Sequence, residues 1–328
     1  MSFALLVTFI QQAIRLSSTL LLGSTGEIIT EKSGNLNLGT PGIMASGAIS
    51  GIVGAYFYTS SSLTFNPVIS ILITILCSIV GSLLITLIYC FLTITLKTNQ
   101  NVTGLALTTF GVGISNFIGS LINQQMGGTS VAAFPEIGKA YRTPLPFAEN
   151  LGVFGDIFLS YGFMTYLAII IAVAAGFVIT KTRIGLNLRS VGENPATADA
   201  AGVNVSRYKY VATLIGGAVS GLGGLYYVMD FAAANWQNNI LDQFGWLSVA
   251  LVIFAVWRPN FAILGSIVFG ALYVIGSFLL NLGPKDQELL KILPYVVTIL
   301  VLVFISMRDK KENQPPESLG LSYFREER

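Results

Sequence analysis

The 328-residue chain is 53% hydrophobic and 10% charged, with a net charge of +2, no histidine and a mean hydropathy of +0.72. That balance cannot cover a water-soluble surface, and it offers no basic patch for a nucleic acid, which is excluded as a partner. The absence of histidine removes Ser/His/Asp and Cys/His centres, HExxH zinc sites and histidine proton relays, so an enzyme would have few tools.

A membrane helix needs about 20 mostly apolar residues. Candidate segments lie at residues 4–22, 36–58, 67–96, 102–122, 160–180, 208–231, 243–257, 260–281 and 291–307. They predict an all-α fold, a polytopic membrane helix bundle of about nine transmembrane helices over residues 1–308, followed by a polar tail at 309–328. The first segment, within MSFALLVTFIQQAIRLSS, lacks the basic head and small-residue cleavage site of a secretory signal and reads as a helix that stays. Arg15 within it either snorkels to an interface or faces a solute.

Residues 26–48, GEIITEKSGNLNLGTPGIMASGA, set Glu27, Glu31, Lys32, Asn35 and Asn37 among Gly34, Gly39, Pro41 and Gly42. Irregular backbone at membrane depth persists only where protein or a water-filled cavity satisfies its polar groups. Two readings stay open: a broken or re-entrant helix lining a solute path, or an ordinary turn between two spans. The segment 67–96 is long enough to tilt. It holds Cys77 and Cys90, which lack companion ligands and read as buried small apolar residues, so no metal is expected. Asn35, Asn37, Asn99, Asn101, Thr103 and Asn116 are uncharged donors and acceptors at or near membrane depth. Such groups either line a pathway or hold helices together.

The segment 123–158 carries Pro135, Pro144 and Pro146 and reads as an ordered surface loop, with Lys139 and Arg142 offset by Glu136, Glu149 and Asp156. In KTRIGLNLRSVGENPATADAAGVNVSRYKY, residues 181–210, Asn194 can cap a helix, Pro195 suits its first position, Asp199 follows in the early turns and Gly202 ends it. This predicts a short helix outside the membrane, shaped either to sit in a groove of another protein or to touch nothing. The short segment 243–257 fits a broken or partly buried helix. Gly47 with Gly51, and Gly217 with Gly221, have the spacing that lets membrane helices approach closely. The tail from Asp309 is polar and expected to be disordered.

If the spans simply alternate, Lys97, Lys181, Arg183, Arg189, Arg207, Lys209, Arg258, Arg308, Lys310 and Lys311 fall on one side. The positive-inside rule makes that side cytoplasmic, with the C-terminus inside and the N-terminus and the 123–158 loop outside.

The stretches GEIITEKSGNLNLGTPGIM, GLNLRSVGENPATADAAGVNVSRYKY and GWLSVALVIFAVWRPNFAILGSIVFGAL together resemble the permease subunits of bacterial ABC importers in the branched-chain amino acid and simple-sugar group. The resemblance covers most of the chain and is nearest to the nucleoside-type permeases, whose early stretch reads like GELISERSGVLNLG. It implies a multi-pass protein of the bacterial cell membrane that moves solute inward and binds no cofactor, the ATP being bound by a partner. The sequence has no GxxxxGK[ST] phosphate loop. The implied partners are a cytoplasmic ABC ATPase, a second permease that is a paralogue, an extracellular substrate-binding lipoprotein, the small-molecule substrate and membrane lipid. Family likeness makes Glu193, Asn194, Pro195, Ala198, Asp199, Gly202 and Val203 the coupling helix that docks on the ATPase. Asn35, Asn37, Asn99, Asn101, Thr103 and Asn116 with the aromatic Phe110 would suit a nucleoside, which is polar at its edges and flat on its faces. Ala255, where relatives more often have glycine, and Gln11 and Gln12 in the first span depart from the pattern.

Simple sugars and branched-chain amino acids remain alternative cargoes. An ion-coupled secondary transporter would need buried carboxylates, for which only Glu27 and Asp230 qualify. A membrane enzyme lacks both histidine and paired intramembrane carboxylates.

Overall fold

The computed structural model describes residues 3–61, 64–127, 133–146, 152–279, 283–307 and 314–325. The described residues are helical, with one isolated bridge between Ala133 and Asn235. Chain order gives α1 (Phe3–Glu31), α2 (Thr40–Ser60), α3 (Pro67–Cys90), α4 (Gln100–Gln125), α5 (Pro135–Arg142), α6 (Gly152–Phe158) and α7 (Phe163–Lys181). There follow α8 (Arg183–Glu193), α9 (Pro195–Ala200), α10 (Val205–Tyr226), α11 (Ile240–Phe254), α12 (Pro259–Phe278), α13 (Pro284–Leu290) and α14 (Leu293–Ser306). Single π-helical turns extend α3 over Phe91–Thr95 and α10 over Tyr227–Phe231.

Seven helical stretches are long and apolar enough to cross a membrane, so the expected nine is not reached on those grounds. The two that fall short are α2, 21 residues diluted by glycine, serine and tyrosine, and α11, only 15 residues long. The reason is position. α2 is buried on nearly every side against α3, α4, α10 and α11, so it need not be apolar enough for lipid. α1 is similarly enclosed, with every residue from Leu16 to Ile28 buried among α7, α10, α11 and α12.

α3 shows how the bundle sorts lipid from protein. Ser70, Thr74, Ser78, Ser82 and Thr86 recur every four residues and are all buried, while Leu72, Leu76, Val80, Leu84 and Leu87 face outward. In water this would be an inverted amphipathic helix. In lipid the exposed leucines cost nothing, and the small hydroxyl face lets neighbouring backbones come close. The hydroxyls are satisfied locally: Thr74 and Thr86 donate to the carbonyls of Ser70 and Ser82 at 2.9 and 2.7 Å. Ser78 reaches across to the Gly221 carbonyl at 3.3 Å. Cys77 and Cys90 on the same helix are free thiols, Cys90 buried.

The glycine spacing proves structural. A Cβ placed on Gly47 would lie 2.6 Å from the Gly221 Cα, and one on Gly221 would lie 2.3 Å from the Ser82 Cβ. α2 and α10 therefore meet backbone to backbone at this crossing, with the Ser82 side chain of α3 packed against Gly221.

Within residues 123–158 the described part is ordered by two short helices, α5 and α6. α5 buries Ile137 and Tyr141, and Arg142 donates through Nε and Nη2 to the carbonyls of Asp230 and Phe231 at 2.5 and 2.8 Å. Glu149 lies outside the described residues, as do Arg308, Lys310 and Lys311.

Candidate functional site

The irregular stretch between α1 and α2, residues 32–39, is enclosed by protein, and Glu27 organises it. Its carboxylate accepts from the Asn37 amide N–H at 3.2 Å, the Thr40 hydroxyl at 2.5 Å and the Asn37 side chain at 3.4 Å. Gln100, at the first position of α4, accepts from the Leu36 N–H at 2.7 Å, and Tyr89 and Thr108 donate to the carbonyls of Leu36 and Leu38, both at 2.6 Å. Asn35 donates to Thr213 on α10 at 3.0 Å. One turn further along α1, Glu31 accepts the indole N–H of Trp257. Non-helical backbone is thus largely enclosed, with several of its polar groups paired by neighbouring helices, as depth in a membrane protein demands. Neither Gln100 nor Trp257 was singled out in the sequence reading; a polar amide at the mouth of a span was the available signal.

Beside this loop stand α8 and α9. Asn194 caps α9, accepting from the Thr197 N–H at 2.9 Å, and Pro195 takes the first helical position. Gly202 follows in the left-handed region at φ +84°, as the sequence predicts. The preceding helix α8 was not expected as a separate element: its arginines and glycines obscure it, yet Thr182 caps it through the Gly185 N–H at 3.1 Å. Ala198 points inward, packing with Val191 of α8 and Val205 of α10 in a small apolar cluster joined by Val203. Glu193, Asn194, Thr197, Ala200 and Gly202 are left exposed. Lys32, at the end of α1, is pushed by burial below the usual lysine range, and the Glu193 carboxylate opposes that shift. The carboxylate at the end of α8 therefore faces Lys32 beside the loop that Glu27 holds.

The tail departs from expectation. Described residues 314–325 are packed rather than disordered, because Leu319, Tyr323 and buried Ser318 supply anchors that its overall polarity hides. Ser318 donates through its N–H and hydroxyl to the Gly192 carbonyl at 3.0 and 2.5 Å, and the Gly320 N–H reaches the Gly34 carbonyl at 3.2 Å. Tyr323 donates to Asp199 at 2.9 Å, and Arg325 pairs with the same carboxylate at 3.2 Å.

The remaining pathway candidates are not brought together. Asn99 caps α4 through the Val102 N–H at 3.1 Å, and Thr103 bonds to the Asn99 carbonyl at 2.8 Å. Asn116 pairs with Asn239 at 2.6 Å. Asn101 and Phe110 lie on the exposed face of α4, Phe110 half exposed, alongside Thr109 and Gly113. Asn35 and Asn37 fasten the buried loop.

Several of the basic residues lie near the α1–α2 loop and the tail. Lys32 lies within electrostatic reach of Arg189 and Arg258, while Lys97 stacks over the ring of Phe324 at 4.3 Å and its carbonyl accepts from Ser322 at 3.4 Å.

Residues 9–302 match the family described as the branched-chain amino acid transport system permease component. The chain is 31% identical to the guanosine ABC transporter permease protein NupQ of Bacillus subtilis, over 95% of each. It is 32% identical to the nucleoside ABC transporter permease protein NupC of Lactococcus lactis subsp. cremoris, over 87% of this chain and 88% of that protein. It is also 30% identical to the putative glucose ABC transporter permease protein TsgC13 of Haloferax volcanii, over 99% of each.

Proposed function

We infer the function from one premise: this chain belongs to the family of branched-chain amino acid transport system permease components, and so is a multi-pass membrane permease subunit of an ABC transporter. We propose that its cargo is a nucleoside, moved into the cell. Two relatives named for guanosine and nucleoside transport, each near 31% identity along most of their length, support that cargo. The relative named for glucose keeps a simple sugar as the second reading.

The observation that carries the mechanism is the small capped helix α9, backed by α8 and α10, with Glu193 at the end of α8, the cap Asn194 and Gly202 exposed around it. We propose that a cytoplasmic ATPase grips this helix, supplying the ATP site that the permease itself does not have. Closure of the ATPase dimer would then rock rigid helices between inward-open and outward-open states. The gathering of basic residues supports a cytoplasmic C-terminus and an external N-terminus. α2 and α11, enclosed within the bundle, would complete nine crossings. A second permease would pack on the exposed face of α4, where Asn101, Thr109 and Phe110 could border a pore shared by two chains, and an extracellular binding lipoprotein would deliver substrate to the opposite end.

The cargo is tested by uptake of labelled guanosine and glucose in cells with and without this chain. Loss of guanosine uptake alone is expected; loss of glucose uptake with guanosine intact would overturn the nucleoside assignment.

A further inference from the structure

A cavity of about 470 Å³ lies between the end of α3, the start of α10 and the tail. Lys209, one turn into α10, lines it and is 4% exposed. Among the described residues its ammonium has no hydrogen bond and no ion-pair partner. A buried cation without a counterion is costly, and proteins ordinarily pair it or discharge it. Lys97 lines the same cavity and, apart from its contact with the Phe324 ring, has no ion-pair partner either.

The third contribution is backbone. Val205 and Ser206, the first residues of the 22-residue helix α10, also line the cavity. Asn204 takes the Arg207 N–H at 2.9 Å, which leaves the Val205 and Ser206 N–H groups without protein acceptors. Free amide hydrogens and the positive end of the helix dipole form an anion seat. The acidic residue on the wall, Asp199, is already engaged by Tyr323 and Arg325.

We propose that this cavity binds a phosphate group, held by the Lys209 and Lys97 ammoniums and the first N–H groups of α10. A phosphate offers several acceptor oxygens to donors arriving from separate directions, which a two-oxygen carboxylate matches less well. The cavity has room beside a phosphate for the organic part of a phosphate ester or lipid headgroup. The phosphate belongs either to a soluble phosphate ester or to the headgroup of an anionic phospholipid.

The test uses the full chain in nanodiscs of phosphatidylcholine. Inorganic phosphate is titrated against chloride at matched ionic strength, and thermal unfolding is followed by tryptophan fluorescence. Saturable stabilisation is expected, about tenfold weaker in Lys209→Met and largely restored in Lys209→Arg. Without phosphate, Lys209→Met is expected to melt no lower than the parent, since it removes an uncompensated buried charge; this separates lost binding from lost folding. A second arm uses nanodiscs containing phosphatidylglycerol, with retained lipid counted by native mass spectrometry. If phosphatidylglycerol abolishes the phosphate response and is enriched on the parent over Lys209→Met, the ligand is a headgroup. If the phosphate response persists, it is a soluble ester. If neither phosphate stabilisation nor lipid enrichment distinguishes the parent from Lys209→Met, the site does not exist.

Discussion

Tyr323 donates its hydroxyl to Asp199 at 2.9 Å across 124 positions of sequence, fastening the tail to the helix proposed to meet the ATPase. Arg325 joins on the same carboxylate, and Ser318 anchors the other end of the strap on Gly192. The handle is thus held from both sides, by α8 and α10 within and by the tail across it.

Removing that fastening should loosen the handle without unfolding the bundle. Tyr323→Phe combined with Arg325→Ala gives up a hydrogen bond to a carboxylate, worth about 1.5–3 kcal/mol, and an exposed ion pair worth about 1 kcal/mol or less. Trypsin cleavage after Arg207 is expected to become several-fold faster, while the yield of membrane-inserted protein stays unchanged. Equal cleavage rates in parent and variant would show that the tail does not restrain this segment.

The handle itself should tolerate little change at two positions. Gly202 sits at φ +84°, where valine is strained by roughly 1–3 kcal/mol and asparagine much less. Gly202→Val is expected to lose ATPase co-purification and uptake together, with Gly202→Asn retaining both. Glu193→Lys, which places a cation beside partly buried Lys32, is expected to behave like the valine variant.

The crossing of α2 and α10 predicts a sharp contrast between glycines. Gly47→Leu forces a side chain into the Gly221 backbone 2.6 Å away, whereas a Cβ on Gly113 meets nothing within 4 Å. Size-exclusion chromatography should show Gly47→Leu aggregated or absent and Gly113→Leu monodisperse. Because Gly113 lies on the exposed face of α4, its variant is expected to impair pairing with a second permease while folding normally.

Trp257→Phe keeps an aromatic ring but removes the indole donor to buried Glu31. Leaving that acceptor unpaired is expected to cost about 1–3 kcal/mol, read as a lowered melting temperature. Adding Glu31→Gln, which exchanges the carboxylate for a neutral amide, should recover part of the loss in a double-mutant cycle.

What the sequence disclosed follows from how local each signal is. α9 was readable residue by residue because capping by Asn194, Pro195 and Gly202 is chemistry between near neighbours. The Gly47 and Gly221 spacings were visible for the same reason, although not that the two pairs meet each other. α8 and the tail were missed because their order comes from partners far away, such as Gly192 for Ser318 and Asp199 for Tyr323. Length and apolarity alone identify seven of the nine expected crossings, because α2 and α11 are buried in protein and need not match the length and apolarity that lipid demands. Polarity at depth in Asn35 and Asn37 is common to solute paths and to helix fasteners, and the sequence does not show the bonds to Thr213 and Glu27 by which they fasten the buried loop.

Energy coupling is tested most directly by solute accumulation in cells carrying the complete transporter with its ATPase inactivated at the nucleotide site. Accumulation should fall to the level of cells lacking this chain, whatever proton or sodium gradient is imposed. Accumulation that continues on an ion gradient alone would contradict a passive permease driven through α9.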